Sequence, residues 1–149
     1  MKPLHAAIAI IFVTSPVFPG VSSACEGELQ IANIEPGSAQ AKIFKLLGEP
    51  KAIRRHEGFV ERTLIYNGLQ IGLDEDMLVA YIKSTSEIYC LTGNICPGMS
   101  LSEIEDLPLK FDRKKIDGNI VMTLYEDSCW GSAKLNNAAV ESVEINCQP

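Results

Sequence analysis

The chain has 149 residues, with 13 Lys and Arg against 19 Asp and Glu and a formal net charge of −6. That balance argues against nucleic acid or an anionic membrane as a partner and favours a partner with a basic surface. Only five cysteines and two histidines are present, and no two cysteines stand as C-x-x-C. No metal site or cofactor is expected from so sparse a ligand set.

Met1-Lys2-Pro3-Leu4-His5 is a basic lead, Ala6 to Phe18 is apolar, and small residues run up to Ala24. This is the layout of a secretory signal peptide over residues 1–24. The apolar run is broken by Thr14, Ser15 and Pro16 and is too short to span a bilayer comfortably. Cleavage after Ala24 leaves 149 − 24 = 125 residues (25–149), the size of one domain, with a charge of 12 − 19 = −7. The expected location is periplasmic or secreted. Cys25 would then be the first exported residue, which raises acylation of a lipobox cysteine. A lipobox carries Leu, Val or Ile three residues earlier, where this chain has Ser22. The expectation is a soluble exported product, with outer-membrane anchoring as the alternative if Cys25 is lipidated.

In chain order, Pro36-Gly37 makes a turn and Ser38 is placed to cap a helix of about ten residues with the stripe Ile43, Leu46, Leu47. Gly48 and Pro50 stop it. Ala52 to Tyr66 reads as two strands around Glu57-Gly58, Leu69–Leu73 as a third after the hairpin signal Asn67-Gly68, and Leu78–Ser84 as a fourth. Asp74-Glu75-Asp76 lacks the glycine and distal glutamate of a calcium loop and reads as a solvated turn. A second helix opens at Ser100 with a Ser100/Glu103 capping box and ends at Pro108. Strands then follow at Leu109–Ile116, Asn119–Glu126, Cys129–Leu135 and Ala139–Cys147.

The plan recurs. Ile34-Glu35-Pro36-Gly37 returns as Ile95-Cys96-Pro97-Gly98, an offset of 95 − 34 = 61, with Ile43/Ile104 and Leu46/Leu107 in phase. The exported chain therefore reads as two repeats, about 31–88 and 92–147. The expected class is α+β: two tandem helix-plus-antiparallel-meander repeats of four strands each, joined into a continuous concave sheet with helices on one face.

Strand alternation puts Val60, Leu64, Ile120, Met122 and Leu124 under the helices, the repeat comparison adds Ile82 and Val143, and Ile65, Val79, Tyr81, Lys83 and Tyr125 are left on the other side. Ile65, Asn67, Gly68, Tyr81, Lys83 and Tyr125 are the candidate partner-binding residues. Cys129 and Cys147 bound one hairpin and Cys90 and Cys96 flank one loop, so these pairs are the expected disulfides of an exported chain. Trp130, beside Cys129, is read as a core residue. His56 is the only histidine left for catalysis and sits among Arg54, Arg55 and Glu57 on an apparent strand, so no enzyme is expected.

Ile-x-Pro-Gly, a short helix, Leu-Gly-x-Pro and a strand meander, twice over, resemble the superfamily of the β-lactamase inhibitor protein and the BamE-type outer-membrane lipoproteins. The resemblance covers about residues 31–147. In the tandem inhibitor it implies a concave sheet that clasps an enzyme, with hairpin loops probing the active site. In the single-repeat lipoprotein it implies a scaffold tethered through an N-terminal cysteine. The expected function is a non-catalytic binding module acting on a protein, as an inhibitor or immunity protein, and the alternative is an envelope-assembly lipoprotein.

Overall fold

The computed structural model describes residues 29–92 and 94–148. The expected signal peptide and Cys25 lie outside them. Eight strands form: β1 (Ala52–Arg55), β2 (Arg62–Tyr66), β3 (Leu69–Leu73), β4 (Val79–Ser84), β5 (Asp112–Ile116), β6 (Asn119–Glu126), β7 (Cys129–Asn136) and β8 (Ala139–Cys147). They make one antiparallel sheet in the order β1-β2-β3-β4-β8-β7-β6-β5. Each four-strand meander meets the other through its last strand, and its first strand becomes an outer edge.

The expected α+β class is overturned, because the fold is largely β. Helix α1 (Gln40–Leu47) has 8 residues and α2 (Leu101–Glu105) has 5. Each supplies one fully buried side chain, Ile43 or Ile104. The expected stripe fails at Leu46, which stays 47% exposed, while Phe44 and Leu47 pack against the core. Eight residues are just over two turns, too few to lay a helical layer over eight strands. The N-cap of α1 is Ala39, without a side-chain bond, instead of Ser38. In α2 the capping box forms: Glu103 N–H donates to Ser100 Oγ, and Ser100 N–H donates to the Glu103 carboxylate at 2.7 Å.

Loop residues close the buried face instead. Leu64, Ile71, Ile82 and Ile145 stand opposite one another on β2, β3, β4 and β8, none more than 1% exposed. The row continues into Gly131 of β7. A Cβ there would lie 2.8 Å from Leu29 Cδ2 and 3.0 Å from Leu91 Cδ1, so the glycine makes room for both leucines. Leu91 joins Ile31, Ile34 and Ile95 in a set of isolated β-bridges, all four fully buried. The Cys90–Cys96 disulfide brackets the Leu91–Ile95 turn, and Cys129–Cys147 joins directly opposed residues of β7 and β8. These are the pairs expected from the loop and hairpin positions.

Both Pro-Gly turns dock on the fourth strand of their own meander in the same way. Gly37 N–H donates to Val79 O at 2.7 Å and Val79 N–H to Ser38 O at 2.9 Å. Gly98 N–H donates to Val140 O at 2.8 Å and Val140 N–H to Met99 O at 2.7 Å. A bulge interrupts each third-to-fourth-strand ladder, at Gly72/Leu73 and at Lys134/Leu135. The extra residue reverses the alternation. Val79, expected on the open side, is therefore buried (3% exposed), as is Val140 (4%).

Ile82→Ala should cost about 2–5 kcal/mol by leaving a cavity in the central row. Gly131→Ala should cost about 1–3 kcal/mol by displacing Leu29 and Leu91. Leu46→Ala, on the exposed side of α1, should stay within about 0.5 kcal/mol. Urea unfolding of the three variants checks the ranking, and a destabilised Leu46→Ala would show that α1 covers more of the core than its exposure allows.

Candidate binding face

Opposite the core, the sheet presents two rows of side chains that cross both meanders. One runs Thr63, Gly72, Tyr81, Asn146, Trp130 and Tyr125. The next runs Ile65, Gln70, Lys83, Glu144, Ser132 and Thr123. The structure thus brings Ile65, Tyr81, Lys83 and Tyr125 onto one side of one sheet. Tyr125 is 66% exposed, whereas Ile65, Tyr81 and Lys83 are half-buried.

Tyr81 owes its placement to Gly72 across the strand pair. A Cβ at Gly72 would come within 2.8 Å of Val60 Cγ1 and 3.1 Å of Tyr81 Cβ. The bare backbone lets Tyr81 settle on β3 together with Val60, which was expected under the helices and lies on this side instead. Burial first, and then the Glu144 carboxylate, push the Tyr81 hydroxyl up to about 12. Lys83 Nζ lies 2.7 Å from Glu144 Oε1, an ion pair across the β4–β8 seam with about a third and a quarter of each side chain exposed.

Asn67 and Gly68 form the β2–β3 turn and are exposed. Only Gly68 has positive φ (67°), so the turn differs from the doubly positive form expected for Asn-Gly. A Cβ on Gly68 would lie 2.7 Å from Ser86 Cβ, and Asn67 Oδ1 accepts from Lys51 Nζ. The turn is held against its neighbours and is not a free tip.

Trp130 departs from its expected core position. Because Gly131 faces the core, Trp130 must face the other way, and it stands half-exposed between Asn146 and Tyr125. Alternation along β7 was the signal that finds it. His56 is exposed, with Nε2 3.0 Å from Thr63 Oγ1. Asp74 Oδ1 accepts from the N–H groups of Asp76 and Leu78, so the acidic triplet is a self-bonded turn. Among the described residues no group of three or more His, Cys, Asp or Glu is placed to hold a metal. The face carries two tyrosines, a tryptophan, an ion pair and several hydroxyls, which suit recognition of a surface.

No family model matches the chain, and no curated protein matches it. Among solved structures it is similar to an extracellular protein containing a SCP domain from Bacillus anthracis str. Ames, at 13% identity and a TM-score of 0.58. That match covers 76% of this chain and 44% of the other, so the chain spans under half the length of that protein. A DUF4309 family protein (YjgB) from Bacillus subtilis subsp. subtilis str. 168 aligns at 8% identity and a TM-score of 0.47, over 74% of this chain and 79% of its own. The first likeness is one of fold. Two disulfides belong to an oxidising compartment, which fits an exported protein. Among the described residues no helix is long and apolar enough to cross a membrane.

Tyr81 generates a pH prediction. Its folded value of about 12 lies above the ordinary 10, so the neutral phenol is favoured in the fold. The associated stability is present below pH 10 and is lost as pH rises toward 12. Tyr81→Phe should remove the highest-pH component of tyrosinate absorbance and flatten the stability curve between those values. An unchanged titration would show that Tyr81 is more open to water than its place over Gly72 implies.

Proposed function

We propose that this chain is an exported, non-catalytic binding protein whose open sheet face grips a protein partner in the envelope or outside the cell, as an enzyme inhibitor or a toxin-immunity protein. The carrying observation is the row Tyr81, Trp130 and Tyr125, which crosses from β4 through β8 and β7 to β6 on the side away from the core. An antiparallel sheet that meets only water usually presents a polar face. Aromatic side chains concentrate at protein interfaces and carry most of their energy.

Three further observations support this reading. The hydrogen bonds of Gly37 and Gly98, 98 − 37 = 61 residues apart, fit two tandem repeats. The Ile-x-Pro-Gly repeats resemble the β-lactamase inhibitor superfamily, whose tandem member is an inhibitor. Gly72 leaves room for Tyr81 to lie half-buried against β3 beside Val60, at the centre of the open face.

The mature protein used as bait on envelope extract supplies the partner, and calorimetry then measures the face. Tyr81→Ala and Tyr125→Ala should each weaken binding by about thirtyfold, the effect of about 2 kcal/mol at an aromatic anchor. Lys83→Ala should cost about tenfold or less. His56→Ala should change nothing. Full affinity in both tyrosine variants would remove this face from the interface, and loss of activity in His56→Ala would argue for catalysis.

A further inference from the structure

The sheet is basic at both ends although the chain is acidic. Lys51, Arg54 and Arg55 lie on or beside β1, and Lys110, Arg113, Lys114 and Lys115 on or beside β5. These are 3 + 4 = 7 of the 13 Lys and Arg in the chain. Both edge strands are exposed along their whole length. Each has a neighbour on one side only, so half of its backbone donors and acceptors face outward without a strand.

Charge decides what can pair there. Two copies of this chain joined edge to edge by β5, in full antiparallel register, would set Arg113 against Lys115 and Lys114 against Lys114. Directly opposed like charges destabilise a strand pair. A strand rich in Glu or Asp is instead attracted at Arg113, Lys114 and Lys115, with Asp112 the one like charge on β5. The β5 edge is the better formed of the two. Arg113, Lys114, Lys115, Gly118 and Ile120 line a groove of about 480 Å³ at the β5–β6 hairpin, and Ile116 stays 50% exposed at the end of β5. Arg113 is paired with Glu105 at 2.7 Å and Lys114 with Asp112 at 3.2 Å. Among the described residues Lys115 has no such partner.

We propose that β5 accepts an acidic, extended segment of another protein as a ninth strand. Arg113 and Lys115 meet carboxylates on one face of the incoming strand. On the other face Ile116 and the aliphatic stem of Lys114 take apolar side chains. This edge is distinct from the open face, and the proposal stands whether or not that face binds a partner.

The probe is a labelled ten-residue peptide alternating Glu and Val, titrated against the exported full chain by fluorescence anisotropy. It should bind, with amide shifts centred on residues 112–116, and salt should weaken it. Arg113→Gln, Lys114→Gln and Lys115→Gln combined should weaken it by about tenfold or more, and the matching triple change at Lys51, Arg54 and Arg55 by less. All six side chains are exposed, so both variants should fold, which circular dichroism verifies. A Lys-Val peptide should not bind, and neither should a Glu-Val peptide with two central prolines, which cannot complete a ladder. Four results would overturn the proposal: no binding, equal binding by the β5 variant, equal binding by the proline peptide, or shifts centred on Tyr81. Self-association of the β5 variant without peptide binding by the parent would also overturn it, because the cations then serve only to keep copies apart.

Discussion

Everything else in this molecule depends on the pairing of β4 with β8. Tyr81, Ile82, Lys83 and Ser84 oppose Asn146, Ile145, Glu144 and Val143, and no turn enforces that contact. The other ladders join strands consecutive in the chain, whereas this one joins residues about sixty positions apart and bears a larger loop-closure cost. Without it there would be two four-stranded meanders, each with a short helix and half a core. With it, Ile82 and Ile145 complete one buried row, and both side-chain rows of the opposite face run unbroken across the seam. The same pairing sends β1 and β5 to the two ends, which is why the edges share a character.

The two faces are each shaped by a glycine in a strand, and the two glycines do opposite jobs. Gly131 faces the core and admits Leu29 and Leu91, so loop residues can reach down to the sheet. Gly72 faces outward and lets Tyr81 and Val60 lie close against the backbone. A strand glycine weakens packing locally, and here each vacancy is filled by side chains from elsewhere. The Cys90–Cys96 bridge then fastens the loop that carries Leu91, so that the cover over Gly131 is held covalently at its base.

Much of the sheet was legible because its signals are local. Period-two alternation and turn residues placed Leu69–Leu73, Asn119–Glu126 and Ala139–Cys147 at their observed bounds. Hairpin logic then paired Cys129 with Cys147. What failed was whatever depends on the third dimension. The cover over the core comes from Ile31, Ile34, Leu91 and Ile95, which lie in bridges too short to leave a periodic trace, whereas the helices are the only cover with a periodic signal in the sequence. Val79 was misplaced because a bulge reverses parity and has no fixed sequence signal here. Trp130 lies on the open face because strand phase, fixed by Gly131 against the core, overrides its proximity to the Cys129–Cys147 disulfide. On the candidate face, parity recovered Ile65, Tyr81, Lys83 and Tyr125, while the dependence of Tyr81 on Gly72 needed the strand order.

A seam without a turn must take its register from side chains, and the Lys83–Glu144 pair supplies one. A slip of one residue would turn either Ile82 or Ile145 to the open face and is excluded by burial alone. A slip of two keeps the faces but sets Lys83 against Ser142 or Asn146, leaving Glu144 unpaired. An opposed ion pair in a sheet contributes roughly 0.2–1 kcal/mol, which is small against a core. It is nevertheless a difference between two registers that bury similar apolar area, so it acts in full on the choice between them. The same register sets Tyr81 opposite Asn146, and through it in line with Trp130 and Tyr125. The charge pair at the centre of the face thus helps to assemble the aromatic row beside it.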